Sequence, residues 1–119
     1  MGSFSRDDLR GEYWLYREAG LEVSVGRGGI GQVCHFNTSD IHVKSGGPLT
    51  SRKAAEILAQ LMVEFGSDRG GYDRLTLHLD GKYTLDLEDL AIIEEALSAS
   101  GFRRSQNSDA PEIRWARNV

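Results

Sequence analysis

The chain has 119 residues, a net charge of -4 at neutral pH, 39% apolar and 27% charged residues, and one cysteine. That is enough chain for one hydrophobic core and too little for two full domains. The mild negative charge argues against coating nucleic acid, and a lone Cys34 excludes an internal disulfide and a zinc site of paired cysteines.

The opening MGSFSRDDLRGEY lacks the apolar stretch of a secretory signal, and no apolar run nears the roughly 20 residues of a membrane span. A cytoplasmic protein that does not enter membranes is expected. Ser5, with Asp7 and Asp8 behind it, reads as the cap of a short helical turn. The aromatic-rich EYWLYR then predicts a strand over about 12–17, and Glu18-Ala19-Gly20 a turn. Leu21, Val23 and Val25 alternate with polar residues, as in a half-buried strand.

Residues 25–33, VGRGGIGQV, hold GxGxxG followed by xV. In dinucleotide-binding folds such glycines open a helix, but here the β-like GQVCHF follows. Gly26, Gly28, Gly31 and Val33 resemble the glycine-rich loop of protein kinases, with Lys44 resembling the lysine of the next strand and Glu56 the helix glutamate. The resemblance ends there, since no HRD or DFG follows. It implies a β-hairpin, not phosphoryl transfer; taken plainly, a tip at Arg27-Gly28-Gly29 needs positive φ, which glycine supplies. Ile30–Phe36 reads as the next strand, Asn37-Thr38-Ser39-Asp40 as a turn, and IHVK as a short third run. The first forty-odd residues are expected to form an antiparallel meander.

Gly46, Gly47 and Pro48 stop the sheet, and Thr50 or Ser51 caps a helix over SRKAAEILAQLMVEF. Its apolar stripe is Ala54, Leu58, Leu61, Met62 and Phe65, and Gly66 ends it. YDRLTLHLDGKYTLD follows, and Asp80-Gly81 predicts a two-residue hairpin turn, although that register opposes the leucines to polar residues. A second helix starts at Asp86, with Asp89 closing the capping box and Leu90, Ile93 and Leu97 as its stripe. Gly101 ends it, and Phe102 folds back onto its last turn. Residues of about 103–111 are expected to be loose, and EIRWARNV to return as an edge strand with Trp115 inward. The fold class is therefore α+β: an antiparallel β-meander and a β-hairpin packed against two amphipathic helices, in one domain over 1–119.

Nothing in this pattern assembles a catalytic centre or calls for a cofactor or metal. Cys34 and His35 are adjacent on a strand and point to opposite faces, and His35, His42 and His78 fall on separate predicted strands. The expected function is that of a small non-enzymatic protein-binding module of inhibitor, immunity or adaptor type. Its contact residues would be Trp14 and Tyr16 on the aromatic strand and Glu88, Glu94 and Glu95 on the acidic second helix, facing a basic protein. Glu94 and Glu95 lie mid-helix, where the helix dipole gives them no structural reason. The alternative is a phosphorylated ligand or nucleic acid held by the basic 41–55 segment, through Lys44, Ser51, Arg52 and Lys53 with Arg27.

Overall fold

The alternation of Leu21, Val23 and Val25 does build a strand, and it lies within a seven-stranded mixed sheet. The computed structural model describes residues 2–7, 13–30, 33–66, 73–81, 83–106 and 108–117, with the side chains of Asp7, Ile30, Phe65 and Gly66 outside the description. In chain order the elements are β1 (Ser3–Asp7), β2 (Tyr13–Glu18), β3 (Leu21–Ile30), β4 (Val33–Ser45), α1 (Ser51–Gly66), β5 (Arg74–His78), α2 (Leu87–Ala99), β6 (Phe102–Arg104) and β7 (Glu112–Arg117). The sheet order is β1-β2-β3-β4-β5-β7-β6. Every neighbouring pair is antiparallel except β4 and β5.

The α+β class stands, and the meander is β1 to β4. Ser5 does not cap a helical turn: Ser3–Asp7 pairs with Tyr13–Arg17 as an edge strand. The turn at Ala19-Gly20 is the one expected, with both residues at positive φ (41° and 86°). Alanine is strained there, whereas Asn-Gly suits such a turn. Ala19→Asn is accordingly expected to raise stability by about 0.5–1 kcal/mol, read from the midpoint of urea unfolding.

The sequence NTSD is not a turn between strands but a bulge inside β4. Val25 opposes Ile41 and Arg27 opposes Phe36, so β4 carries surplus residues at 37–40. The bulge is held from outside: Asp80 accepts from the Thr38 hydroxyl at 2.6 Å and from the Ser39 amide at 2.7 Å. Burial of Asp80 raises its carboxyl pKa, but these hydrogen bonds and that of the Ser39 hydroxyl outweigh it and hold the group below its usual range.

That use of Asp80 goes with the loss of the expected hairpin: among the described residues no strand follows Asp80-Gly81 before α2. β5 runs parallel to β4, a pairing that needs a crossover, and α1 supplies it. The chain leaves β5 through Asp80 for α2 and returns in β6. β7 then inserts between β5 and β6, so EIRWAR is an interior strand rather than an edge. Residues 103–106 and 108–117 belong to this return. The Arg104 guanidinium donates to the Ser108 carbonyl at 3.2 and 3.1 Å, and Ser108, itself buried, is hydrogen-bonded to Arg114.

The helices begin as their sequences dictate. Thr50 Oγ1 accepts from the Lys53 amide at 3.1 Å, which makes Thr50 the cap and Ser51 the first helical residue. Asp86 and Asp89 form a reciprocal capping box. Both helices cover one face of the sheet through a single core. On that face the register aligns Cys34, Leu75 and Trp115 in one row and Phe36, Leu77 and Ile113 in the next, all buried. Ala54, Leu58, Leu61 and Met62 of α1 and Ile93 and Leu97 of α2 close over them. No helix among the described residues is long and apolar enough to cross a membrane.

Candidate functional site

Strand alternation puts Trp14 and Tyr16 on the helix-facing side of the sheet, in rows with Val25 and Val23. Tyr16 is buried, at 2% exposure, and Trp14 is half-buried against the core. Neither stands on an open aromatic surface, because α1 covers this side.

The Tyr16 hydroxyl donates to Glu18 Oε1. Lys53, from the first turn of α1, donates to both Glu18 oxygens at 3.0 and 2.8 Å. The turn at Ala19-Gly20 thus brings the last carboxylate of β2 under a lysine 35 residues on. Hydrogen bonds from Lys53 and Tyr16 hold the Glu18 carboxyl below the usual carboxylate range, against the cost of its partial burial. Glu18 in turn raises Lys53, while burial and the Glu18 bond raise Tyr16. The three form a neutralised triad and not a poised acid or nucleophile.

Beside this triad opens a groove of about 730 Å³, a volume usual for ligand sites. Tyr16, Ala59, Val63, Ile92 and Ala96 give it apolar walls, and Glu18, Glu56 and Glu64 give it acids against Lys53 alone. The N-terminal end of the described chain borders it, with Gln60 Nε2 donating to the Gly2 carbonyl at 2.7 Å.

The acidic residues expected on α2 are spread out. Glu94 has a structural reason that its sequence position hides: it accepts from the Trp115 indole N–H at 2.8 Å. Glu88 lies 4.0 Å from Arg52 with both side chains largely exposed, a pair worth little. Glu95 is exposed. Leu87, at 85% exposure, is the exposed large hydrophobic residue among those described.

The five residues of the expected anion site are not gathered either. Arg27 lies opposite Phe36 and donates to Cys34 Sγ at 3.8 Å, while Lys44 sits toward the far end of β4 near Glu22. Lys53 is committed to Glu18, Ser51 begins α1, and Arg52 is on its outer surface. Lys44 shares β4 with Val33, instead of occupying the next strand as the kinase likeness implies, and Glu56 is an exposed residue of α1. The hairpin implied by that likeness is present, but its connection falls at Gly31-Gln32, outside the described residues. Gly26 and Gly28 are strand residues without positive φ. Gly26 is required because the Tyr13 ring lies over it: a Cβ would come 2.9 Å from that ring and 3.1 Å from Asp40 Cβ.

The opposite face of the sheet carries polar groups that strand-by-strand reading kept apart. His35 Nδ1 and His78 Nε2 lie 3.1 Å apart, with the rings stacked at 5.4 Å. Only the parallel pairing of β4 with β5 brings them together. The Tyr13 hydroxyl donates to Asp40 Oδ1 at 3.0 Å, and Asn37 donates to the other oxygen at 3.2 Å. No group of three or more metal-ligating side chains occurs among the described residues.

The architecture is a two-layer α+β sandwich with one helix-covered face, an acidic apolar groove at the helix layer and a polar open sheet face. The chain matches no protein-family model and no curated protein sequence.

Proposed function

We propose that this is a cytoplasmic, non-enzymatic protein-binding module that takes a basic, partly apolar segment of another protein into the groove between α1, α2 and β2. The observation that carries this reading is the lining of the groove: an apolar floor edged by Glu56 and Glu64, with Lys53 and Glu18 neutralising each other. Such a surface matches a segment whose apolar side chains face inward and whose lysines or arginines reach the edge. Of the residues expected from sequence, Tyr16 contributes to the floor. Glu88 and Glu95 extend the negative surface along α2, while Trp14 and Glu94 support the structure around it.

The test is capture from nuclease-treated host extract at low and high salt, comparing the wild-type chain with Glu56→Lys. The wild-type chain is expected to recover a basic protein that elutes as salt rises. Glu56→Lys, at an exposed position on the edge, should slow association about tenfold at low salt. Equal recovery and equal association rates would remove the groove as the docking surface.

A further inference from the structure

Away from the groove, the open face of the sheet holds a second recess, a cleft of about 480 Å³ over β5 and β7. Its lining is built by register. His35, Thr76 and Arg114 stand in one cross-strand row, and Arg74 stands in the next row opposite Val33. Arg74 and Arg114 are both exposed. Among the described residues their guanidinium groups form no ion pair or side-chain hydrogen bond, so no described carboxylate is paired with either positive group. Ser105 joins the lining from the chain after β6.

Behind the cleft, His35 uses Nδ1 on His78 Nε2. That leaves His35 Nε2 for the cleft. Which ring donates across this contact depends on the tautomers of the two imidazoles. When His78 Nε2–H donates to His35 Nδ1, His35 Nε2 carries its ring's N–H and is a donor toward the cleft. An anion in the cleft selects that tautomer. Gly28, opposite His35 on β3, contributes no side chain, and the space where its Cβ would stand is empty to 4 Å.

We propose that this cleft binds a small phosphate monoester carrying hydroxyl groups. Arg74 and Arg114 grip the phosphate oxygens in charge-assisted hydrogen bonds, and Thr76 and His35 Nε2 complete the donor set. Glu112, the acid of the lining, pairs across the strands with His78, one row from Thr76 and Arg114. A carboxylate there repels a bare anion but accepts from a hydroxyl, which favours the ester over inorganic phosphate.

The experiment is an NMR titration of the full chain with inorganic phosphate, with ribose 5-phosphate and with a short single-stranded oligonucleotide. The monoester should bind saturably, shift the ring signals of His35 and His78, and bind more tightly than inorganic phosphate. Arg74→Gln and Arg114→Gln should each weaken it about ten- to a hundredfold. Arg17→Gln, which removes the Arg17–Glu22 pair on another part of the sheet, should leave it unchanged. Absence of saturation, retained affinity in the Arg74→Gln/Arg114→Gln chain, or binding confined to the oligonucleotide would each overturn the proposal. Because the probe is a defined small molecule, the result is independent of whether a protein docks in the groove.

Discussion

Replacing Trp115 by alanine is expected to lower the unfolding free energy by about 3–5 kcal/mol, seen as a lower urea midpoint at an unchanged slope. Trp115 is 2% exposed and ends the row that starts at Cys34 and Leu75. Its indole N–H donates to Glu94 on α2 at 2.8 Å. Truncation therefore opens a cavity between β7 and the helix layer and deprives a half-buried carboxylate of its donor. Trp115→Phe separates the two effects. It keeps most of the ring, loses the hydrogen bond and should cost about 1 kcal/mol, since water can reach Glu94. A loss below about 1 kcal/mol for the alanine variant would mean that β7 does not lie between β5 and β6.

Trp115 also shows where sequence reading succeeds and where it stops. Its inward direction follows from the alternation of EIRWAR, and the stripe Ala54, Leu58, Leu61 and Met62 follows from helical spacing. The capping box at Asp86 and Asp89 is likewise local chemistry. Each of these depends on residues a few positions apart. The placement of β7 inside the sheet depends instead on strands distant in sequence, and nothing within 112–117 records it.

The same distinction explains the site. His35 and His78 are 43 residues apart, Glu18 and Lys53 35, and Thr38 and Asp80 42. All three contacts follow from α1 carrying the chain across to a parallel β5 or back over β2. The local signal at Asp80-Gly81 competes with that topology and loses. Leu75 and Leu77 are buried in register with Cys34 and Phe36, while the Asp80 carboxylate satisfies the β4 bulge. The conflict between the turn register and the leucine pattern was the visible sign that a hairpin did not suit this segment. The acidity of α2 and the basicity of 41–55 were legible as charge. What was not legible is that Glu94 and Lys53 spend theirs on Trp115 and Glu18.

Gly46→Ala is expected to cost about 2–4 kcal/mol, although sequence alone marks Gly46 only as part of the stretch that stops the sheet. Gly46 has a φ of +84°, and a Cβ there would stand 2.6 Å from the Gly20 carbonyl oxygen and 2.9 Å from Leu21 Cα. The left-handed backbone alone costs an alanine about 1–2 kcal/mol. The added methyl meets backbone, which cannot rotate aside as a side chain could, so relief requires the β2–β3 turn to move away from the end of β4 and adds about 1–3 kcal/mol. Gly28→Ala provides the contrast: its Cβ meets nothing within 4 Å and its φ is not positive. An alanine in that strand should be neutral or gain about 0.5–1 kcal/mol. Urea unfolding of the two variants separates a glycine needed for close approach from one that leaves open space beside His35. Similar losses at both positions would show that the β2–β3 turn does not rest on Gly46, and would remove the structural account of this glycine.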